Sequence, residues 1–192
     1  RYGDRKYIDK NHDGKLTIDD YFKLRNTNPD FSWGFKNTFT YRNFTLDIYT
    51  QGDYGNKIVN FNRFFLESFD GFQNNSRVAL KRWTEENPTN KYPRANASPH
   101  GNVMSDVIVE DGSYARLKEV TLSYTLPEKI LGKLHIRSVQ LALSGRNLYT
   151  LTRYSGYDPE VSIFGGSVYG KGADYGPYPM AKTYLFSLNV TF

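Results

Sequence analysis

The sequence predicts an all-β fold, an antiparallel transmembrane β-barrel segment with long extracellular loops, and three observations support this prediction. Apolar and polar residues alternate over about ten residues in five separate runs, which is typical of strands with one face in an apolar medium. The connections between the runs are in turn short, long, short and long, as in outer-membrane barrels with short periplasmic turns and long extracellular loops. Aromatic residues make up 16% of the chain, and seven of them form two girdles at the ends of the runs, as barrels do. Tyr41, Phe44, Tyr124 and Phe192 lie at the short-turn end, and Trp33, Tyr149 and Tyr184 lie at the long-loop end.

The first two runs predict a tight hairpin. In run 31–41 one face is aromatic at every position except Asn37: Phe31, Trp33, Phe35, Phe39 and Tyr41. Run 44–52 places Phe44, Leu46 and Ile48 on one face, and Tyr49 and Gln51 on the other. The pair Arg42-Asn43 joins the two runs, and a connection of this length is typical of a β-hairpin.

The third, fourth and fifth runs extend over 114–126, 138–151 and 184–192 and show the same alternation. In the third run Arg116 and Lys118 fall on the face of the apolar residues. Either the strand contains a β-bulge here, or both charges lie above the bilayer among lipid headgroups. Long polar stretches, 53–113 and 152–182, separate the runs, and we expect short helices near 61–69 and 76–86.

Composition excludes several other classes of protein. The 192 residues include no cysteine, which excludes disulfide scaffolds, thiol nucleophiles and iron–sulfur sites. No apolar run reaches the roughly 20 residues that a transmembrane helix needs. The net charge of +5 is scattered and does not indicate nucleic-acid binding. The three histidines are isolated and the acidic pairs at 85–86 and 110–111 point apart, so we do not expect an enzyme.

The segment Asp9–Asp20, which reads Asp-Lys-Asn-His-Asp-Gly-Lys-Leu-Thr-Ile-Asp-Asp, matches a calcium loop of EF-hand type. Such a loop binds Ca²⁺ through positions 1, 3, 5, 7, 9 and 12, here Asp9, Asn11, Asp13, Lys15 (through its carbonyl), Thr17 and Asp20. Asp20 replaces the usual Glu and is one methylene shorter, which favours a modest affinity. No helix is predicted before the loop, so we expect a structural site. The alternative is an ordinary Asp/Asn-rich turn.

A soluble β-sandwich with one face in its core would show the same alternation as a barrel wall. The two aromatic girdles, the unequal loops and the terminal Phe192 favour the barrel. A secreted, calcium-dependent carbohydrate-binding β-sandwich is the alternative interpretation, and it differs from the barrel in needing no detergent.

Nine stretches carry a family resemblance, and each of them is weak when taken alone. They include Asn28-Pro29-Asp30-Phe31 and Tyr154-Ser155-Gly156-Tyr157-Asp158-Pro159-Glu160, and in full they cover 3–20, 28–35, 51–56, 92–94, 110–118, 122–127, 144–148, 154–160 and 188–192. Taken in this order over almost the whole chain, they resemble the C-terminal region of the SusC/RagA family, the TonB-linked outer-membrane transporters of Bacteroidetes.

The resemblance implies a barrel of about 22 strands with an N-terminal plug, of which the five runs are the last five strands. It implies an outer-membrane protein that imports oligosaccharides or peptides without catalysis. A SusD-like surface lipoprotein covers the mouth of such a barrel, and TonB supplies energy through an N-terminal segment. The chain begins at Arg1 without an initiator methionine or a signal peptide, so we expect a piece of a longer protein.

Within this scheme, residues 1–30 form an extracellular loop with the calcium site, and residues 31–192 form the C-terminal part of the barrel, with its last residue in the periplasm. Five polar residues of the runs would face the lumen or the plug: Lys36, Asp47, Glu119, Gln140 and Arg146. Aromatic residues of the loops, Trp83, Tyr154 and Tyr157, are candidates for stacking on a sugar substrate, and packing within the loops is their alternative role.

Overall fold

The computed structural model describes residues 2–24, 26–69, 74–95, 104–132, 136–162 and 170–192. Its strands are β1 (Phe31–Tyr41), β2 (Phe44–Tyr54), β3 (Lys57–Asn60), β4 (Val109–Asp111), β5 (Tyr114–Thr125), β6 (Ser138–Thr152), β7 (Ala173–Asp174) and β8 (Thr183–Thr191). The α-helices are α1 (Phe61–Leu66) and α2 (Glu128–Leu131), and the 3-10 helices are Ile18–Asp20, Arg77–Lys81 and Asp106–Ile108.

The five predicted runs all form strands of one sheet, in the order β1-β2-β5-β6-β8, with every neighbouring pair antiparallel. The prediction of an all-β, antiparallel segment is confirmed. Predicted and observed strand ends differ by two residues at most. The largest difference is at β2, which was predicted to end at 52 and ends at Tyr54. The extension matters, because it adds Asp53 to the polar face of β2.

One face of this sheet is apolar and exposed. Residues that pair across neighbouring strands form rows on this face. One row contains Phe39, Leu46, Leu122, Leu143 and Phe186, and the next contains Tyr41, Phe44, Tyr124, Leu141 and Leu188. Phe186 is 71% exposed and Leu143 is 58% exposed. A continuous apolar surface of this kind is unfavourable in water, so it indicates a face that meets lipid or another apolar partner.

The opposite face of the sheet is polar. One row joins Thr40, Thr45, Ser123, Ala142 and Ser187, and the next joins Thr38, Asp47, Thr121, Ser144 and Leu185. Side chains on this face are bonded to one another: the hydroxyls of Thr121 and Ser144 lie 2.7 Å apart, and Arg146 lies 3.5 Å from Glu119. The alternation in the sequence therefore corresponds to two chemically different faces.

A β-bulge resolves the position of Arg116 and Lys118. Between Leu117 and Glu119 the pairing of β5 skips Lys118 on both sides. One extra residue reverses the alternation of side chains beyond it. Arg116 therefore lies on the polar face, opposite Gln51 and Thr150. Of the two explanations that the sequence left open, the structure contains the bulge.

The two predicted helices in the stretch 53–113 are shorter than expected. Helix α1 begins after Asn60, whose side chain accepts a hydrogen bond from the Arg63 amide at 3.3 Å, and ends at Leu66 instead of 69. The second expected helix, near 76–86, is present over Arg77–Lys81 only, as a 3-10 helix. Beyond Lys81 a local turn replaces the helix, and in it the side-chain amide nitrogen Nδ2 of Asn87 donates to the Arg82 carbonyl at 3.1 Å. No helix in the described ranges is both long enough and apolar enough to cross a membrane.

The chain divides into two compact units. The first contains Arg1–Thr27, Lys57–Glu110 and Val161–Pro177, and the second contains Asn28–Asn56, Asp111–Glu160 and Tyr178–Phe192, which includes the five-stranded sheet. The first unit carries a small sheet in the order β4-β3-β7, with β3 and β7 parallel. Its centre is partly polar: Asp174 is 1% exposed and accepts a hydrogen bond from Asn62 at 2.9 Å.

Candidate functional site

The EF-hand-type loop in the first unit is closed by hydrogen bonds from its own backbone. The Gly14 amide donates to Asp9 Oδ2 at 2.8 Å, and the Lys15 amide donates to Asp13 Oδ1 at 2.7 Å. Gly14 adopts a φ of 77°, which a side chain would strain. The Asp13 amide in turn donates to Asn11 Oδ1 at 3.1 Å. These bonds turn the loop sharply, and backbone amides occupy one oxygen each of Asp9, Asn11 and Asp13.

Asp20 ties the end of the loop to its beginning. Its Oδ2 accepts a hydrogen bond from the Thr17 amide at 2.7 Å, and its Oδ1 accepts one from the Lys10 amide at 2.8 Å. Thr17 also caps the 3-10 helix Ile18–Asp20. The backbone hydrogen bonds from Thr17 and Lys10 lower the pKa of Asp20. The carboxylate is therefore ionised at neutral pH.

The donor set of this loop fits a hard divalent cation, because every expected ligand is an oxygen. Asp9 Oδ1 is buried and has no hydrogen-bond partner in the described part of the chain, which leaves an anionic oxygen for a cation. The described residues nevertheless hold no group of three His, Cys, Asp or Glu side chains arranged to bind a metal. Calcium binding by Asp9, Asn11, Asp13, Lys15, Thr17 and Asp20 thus stays a prediction.

The predicted substrate-stacking aromatics lie in different surroundings. The indole of Trp83 packs on Gly3, where an added Cβ would come within 2.5 Å of the ring. Tyr154 is 5% exposed, and its ring lies against Gly156. Tyr157 is 79% exposed. Of the three, Tyr157 is the one whose ring is available to a ligand in the described conformation, and the contacts of the other two favour the packing role. Trp83 belongs to the first unit, and Tyr154 and Tyr157 belong to the second.

A charged cluster that the sequence did not predict lies on the polar face of the second unit. Arg116 Nη2 contacts Asp158 Oδ1 at 2.5 Å, and Arg116 Nη1 contacts Glu160 Oε2 at 2.5 Å. Lys118 Nζ lies 3.4 Å from the same Glu160 oxygen. Arg116 also donates to Thr150 Oγ1 at 2.9 Å. The cluster fastens the segment after β6 to β5, and its charges sum to zero.

The loop carboxylate at the centre of this cluster remains ionised. Burial raises the pKa of Asp158, but hydrogen bonds from the Glu160 amide, the Arg116 side chain and the Met180 amide outweigh it, so that the pKa lies below its usual value. The Glu160 and Met180 amides are 3.0 and 3.1 Å from the two oxygens of Asp158. The one sign of this cluster in the sequence was that the alternation of the third run placed the charged Arg116 on its apolar face.

A recess lies beside the cluster on the same polar face. Its volume is about 360 Å³, and it is lined among others by Ser32, Tyr49, Gln51, Asp53, Tyr114 and Glu160. Ser32, Asp53 and Tyr114 form one row across β1, β2 and β5. Tyr49 and Gln51 were placed on the polar face from the sequence, whereas Asp53 lay beyond the predicted end of the strand.

An antiparallel sheet with one exposed apolar face and one polar, ion-paired face defines a segment of an outer-membrane β-barrel wall. No family model matches the chain. Over 99% of its length the chain is 38% identical to the TonB-dependent receptor P26 of Formosa agariphila, of which it covers 20%. Over 97% of its length it is 24% identical to the TonB-dependent receptor SusC of Bacteroides thetaiotaomicron, of which it covers 17%.

The solved structures agree with this class. The RagAB peptide importer in the 'closed-closed' state matches 93% of the chain with a TM-score of 0.80 and 27% sequence identity, and the chain covers 19% of that protein. The chain is therefore SusC/RagA-like and corresponds to a segment of a TonB-dependent transporter. It spans about a fifth of the length of these relatives.

Proposed function

We propose that this chain forms part of the wall of a TonB-dependent outer-membrane transporter that imports oligosaccharides or peptides. The observation that carries the proposal is the pair of unlike faces of the five-stranded sheet. The apolar rows on one face suit lipid, and the polar rows on the other suit a lumen or a plug. Lys36, Asp47, Glu119, Gln140 and Arg146 belong to the polar face.

The orientation that we propose follows from the connections. The two-residue turn between β1 and β2 and the connection between β5 and β6 lie at one end of the sheet, together with the end of β8. Short connections lie in the periplasm in outer-membrane barrels. The C-terminus is then periplasmic, and residues 1–30 and the 153–160 segment are extracellular.

The partners are proposed from the relatives. Four of them are named TonB-dependent receptors, which supports TonB as the source of energy through a segment outside this chain. The resemblance to the SusC/RagA family supports a SusD-like lipoprotein at the extracellular mouth. RagAB is described as a peptide importer, which supports peptides as substrates. The resemblance to the SusC/RagA family implies oligosaccharides as well, and both substrate classes are kept.

We also propose that the Asp9–Asp20 loop binds one structural Ca²⁺. The all-oxygen donor set, the sharp turn at Gly14 and the buried, unpartnered Asp9 Oδ1 support it. The cation would neutralise the carboxylates of Asp9, Asp13 and Asp20, which otherwise repel one another. The site would fix the shape of an extracellular loop and would hold no reactive water.

Among the aromatic residues, Tyr157 is the one that we propose for substrate contact. Its ring is exposed, while its neighbour Asp158 is fastened to Arg116. An exposed ring on an anchored segment can stack on a sugar or a side chain at a small cost in conformational entropy. We keep Trp83 and Tyr154 as contributors to the shape of their loops.

The alternative, a calcium-dependent carbohydrate-binding β-sandwich, is disfavoured by the exposure of Phe39, Leu143 and Phe186. A sandwich buries that face in its own core. The test is deletion of the full-length gene followed by growth on a panel of glycans and peptides as sole nutrients. We expect growth on one group of substrates to be lost in the deletion strain. The wild-type gene should restore this growth, but not in the presence of a protonophore. Unimpaired growth on every substrate would remove the import proposal.

A further inference from the structure

The recess on the polar face of the second unit has an unusual set of hydrogen-bonding groups. Glu160 Oε1 accepts hydrogen bonds from Gln51 Nε2 at 2.8 Å and from the Tyr114 hydroxyl at 2.9 Å. The hydroxyl proton of Tyr114 and one amide proton of Gln51 are therefore already committed. The amide oxygen of Gln51 and the oxygen of Tyr114 remain as acceptors, and the second amide proton of Gln51 remains as a donor.

Asp53 adds a full negative charge to these acceptors. It lies directly across the strands from Tyr114 on one side and from Ser32 on the other. Its side chain is half-buried, and within the described ranges its carboxylate makes no hydrogen bond and no ion pair. Half-buried carboxylates are usually paired, because partial removal from water is otherwise unfavourable.

The neighbouring charges do not compensate Asp53. Glu160 is the other acid that lines the recess, and it is paired with Arg116 and Lys118. Arg116 is also paired with Asp158. The two cations Arg116 and Lys118 thus balance the two anions of the cluster, Asp158 and Glu160. The negative charge of Asp53 has no cationic partner among them. The recess and the neighbouring cluster together carry one net negative charge, and Asp53 contributes acceptors only.

We propose that this recess binds a primary ammonium group of the imported substrate. An ammonium has three N–H donors and no acceptor, which matches the Asp53 carboxylate, the Gln51 carbonyl and the Tyr114 oxygen. Hydrogen bonds between an ammonium and a carboxylate are roughly twice as strong as neutral ones. A sugar hydroxyl is both donor and acceptor and carries no charge, so it matches the leftover charge less well.

The volume of the recess is compatible with such a group. About 360 Å³ lies within the range of small-molecule sites, about 300–1,000 Å³, and admits an aminoalkyl chain. The ammonium can be the N-terminus of a peptide or the side chain of a lysine. This inference rests on the proposed import function, because it assigns a substrate chemistry to the polar face of the transporter wall.

The test compares Asp53→Asn with wild type in the full-length transporter bound to its lipoprotein partner, with calorimetry as the measurement. The probes are pentaalanine, N-acetyl-pentaalanine, N-acetyl-tetraalanyl-lysine and maltopentaose. We expect Asp53→Asn to weaken the binding of an amine-bearing probe about tenfold, the loss expected for one hydrogen bond to a charged group, and to leave N-acetyl-pentaalanine and maltopentaose unchanged. Preference for pentaalanine identifies the N-terminus as the source, and preference for the acetylated lysine peptide identifies the side chain.

The matched control is Asp47→Asn, the same change on the same strand and face. Asp47 accepts a hydrogen bond from Thr38 Oγ1 and does not line the recess, so its replacement should leave the affinity for all four probes unchanged. Equal affinity of wild type and Asp53→Asn for the amine-bearing probes, or no binding of these probes by wild type, would overturn the ammonium site. Weaker binding of maltopentaose alone would assign the recess to a glycan instead. None of these results changes the outcome of the growth test, so failure of the ammonium site can be distinguished from failure of the import proposal.

Discussion

Arg116 and Asp158 form a buried ion pair, with Arg116 Nη2 at 2.5 Å from Asp158 Oδ1 and side chains that are 3% and 9% exposed. The pair connects strand β5 to the segment that follows β6, and 42 residues separate its members. Because Asp158 also accepts from two backbone amides, one carboxylate holds three parts of the chain together. Arg116 is thus the one cation that contacts both acidic side chains of the 153–160 segment, Asp158 and Glu160.

Arg116→Met should release this segment while the sheet persists. Removal of one partner of a buried pair leaves the other charge uncompensated and costs about 3–5 kcal/mol. Hydrogen exchange of the Glu160 and Met180 amides, which donate to Asp158, should become at least about a hundredfold faster, since each 1.4 kcal/mol is a factor of ten.

The matched control is Arg146→Met on the neighbouring strand. Arg146 lies 3.5 Å from Glu119, and the side chains are 54% and 38% exposed. Exposed pairs of this kind contribute about 0–1 kcal/mol, so exchange at the two reporter amides should not change. An equal effect of the two substitutions would show that the Arg116 cluster is not the fastening of the segment.

The same segment should open in acid. The pKa of Asp158 lies below its usual value in the folded chain, since its hydrogen bonds outweigh its burial. A lowered pKa contributes stability above the unfolded value, about 3.9, and loses it as the pH falls through the folded value. Protection of the Glu160 and Met180 amides should be constant from about pH 7 to pH 5 and should decline below about pH 4. Asp158→Asn should give lower protection with no such decline, and a decline already at pH 6 would point to another group.

Calcium should bind the Asp9–Asp20 loop of the full-length transporter. We expect one site by calorimetry in wild type and no measurable binding in the double variant Asp9→Ala, Asp13→Ala, because two charged oxygen ligands are lost. Added Ca²⁺ should also protect the loop from trypsin cleavage after Lys10 and Lys15. The control is Asp19→Ala, since Asp19 is exposed and occupies none of the expected ligand positions. Identical cleavage with Ca²⁺ and with a chelator would contradict the site.

The two faces of β8 should differ in their tolerance of charge. Leu188 lies opposite Leu141 on the apolar face, and Asn189 lies opposite Gln140 on the polar face. An arginine on a lipid-facing position costs about 2–4 kcal/mol near the bilayer midplane. Leu188→Arg should therefore reduce the heat-modifiable, assembled barrel on gels far more than Asn189→Arg. Equal tolerance of both substitutions would mean that this face does not meet lipid.

The sequence by itself determined the strands and their two faces. Alternation of side chains is a property of each strand alone, so Phe39, Leu122 and Phe186 could be assigned to one face without knowledge of their neighbours. The turn at Arg42-Asn43 was equally local. The same held for the loop of Asp9–Asp20, whose hydrogen bonds join residues no more than about ten positions apart.

Only the tertiary structure decided the face of Arg116 and the identity of the residues beside it. A bulge forms when neighbouring strands pair out of step, so its position at Lys118 depends on β2 and β6 as much as on β5. Asp158 and Glu160 reach Arg116 from a segment more than forty positions away, and nothing in the local pattern selects them among the other acids. The free carboxylate of Asp53 was hidden for the same reason: whether a charge is paired depends on groups that folding brings together from distant parts of the chain.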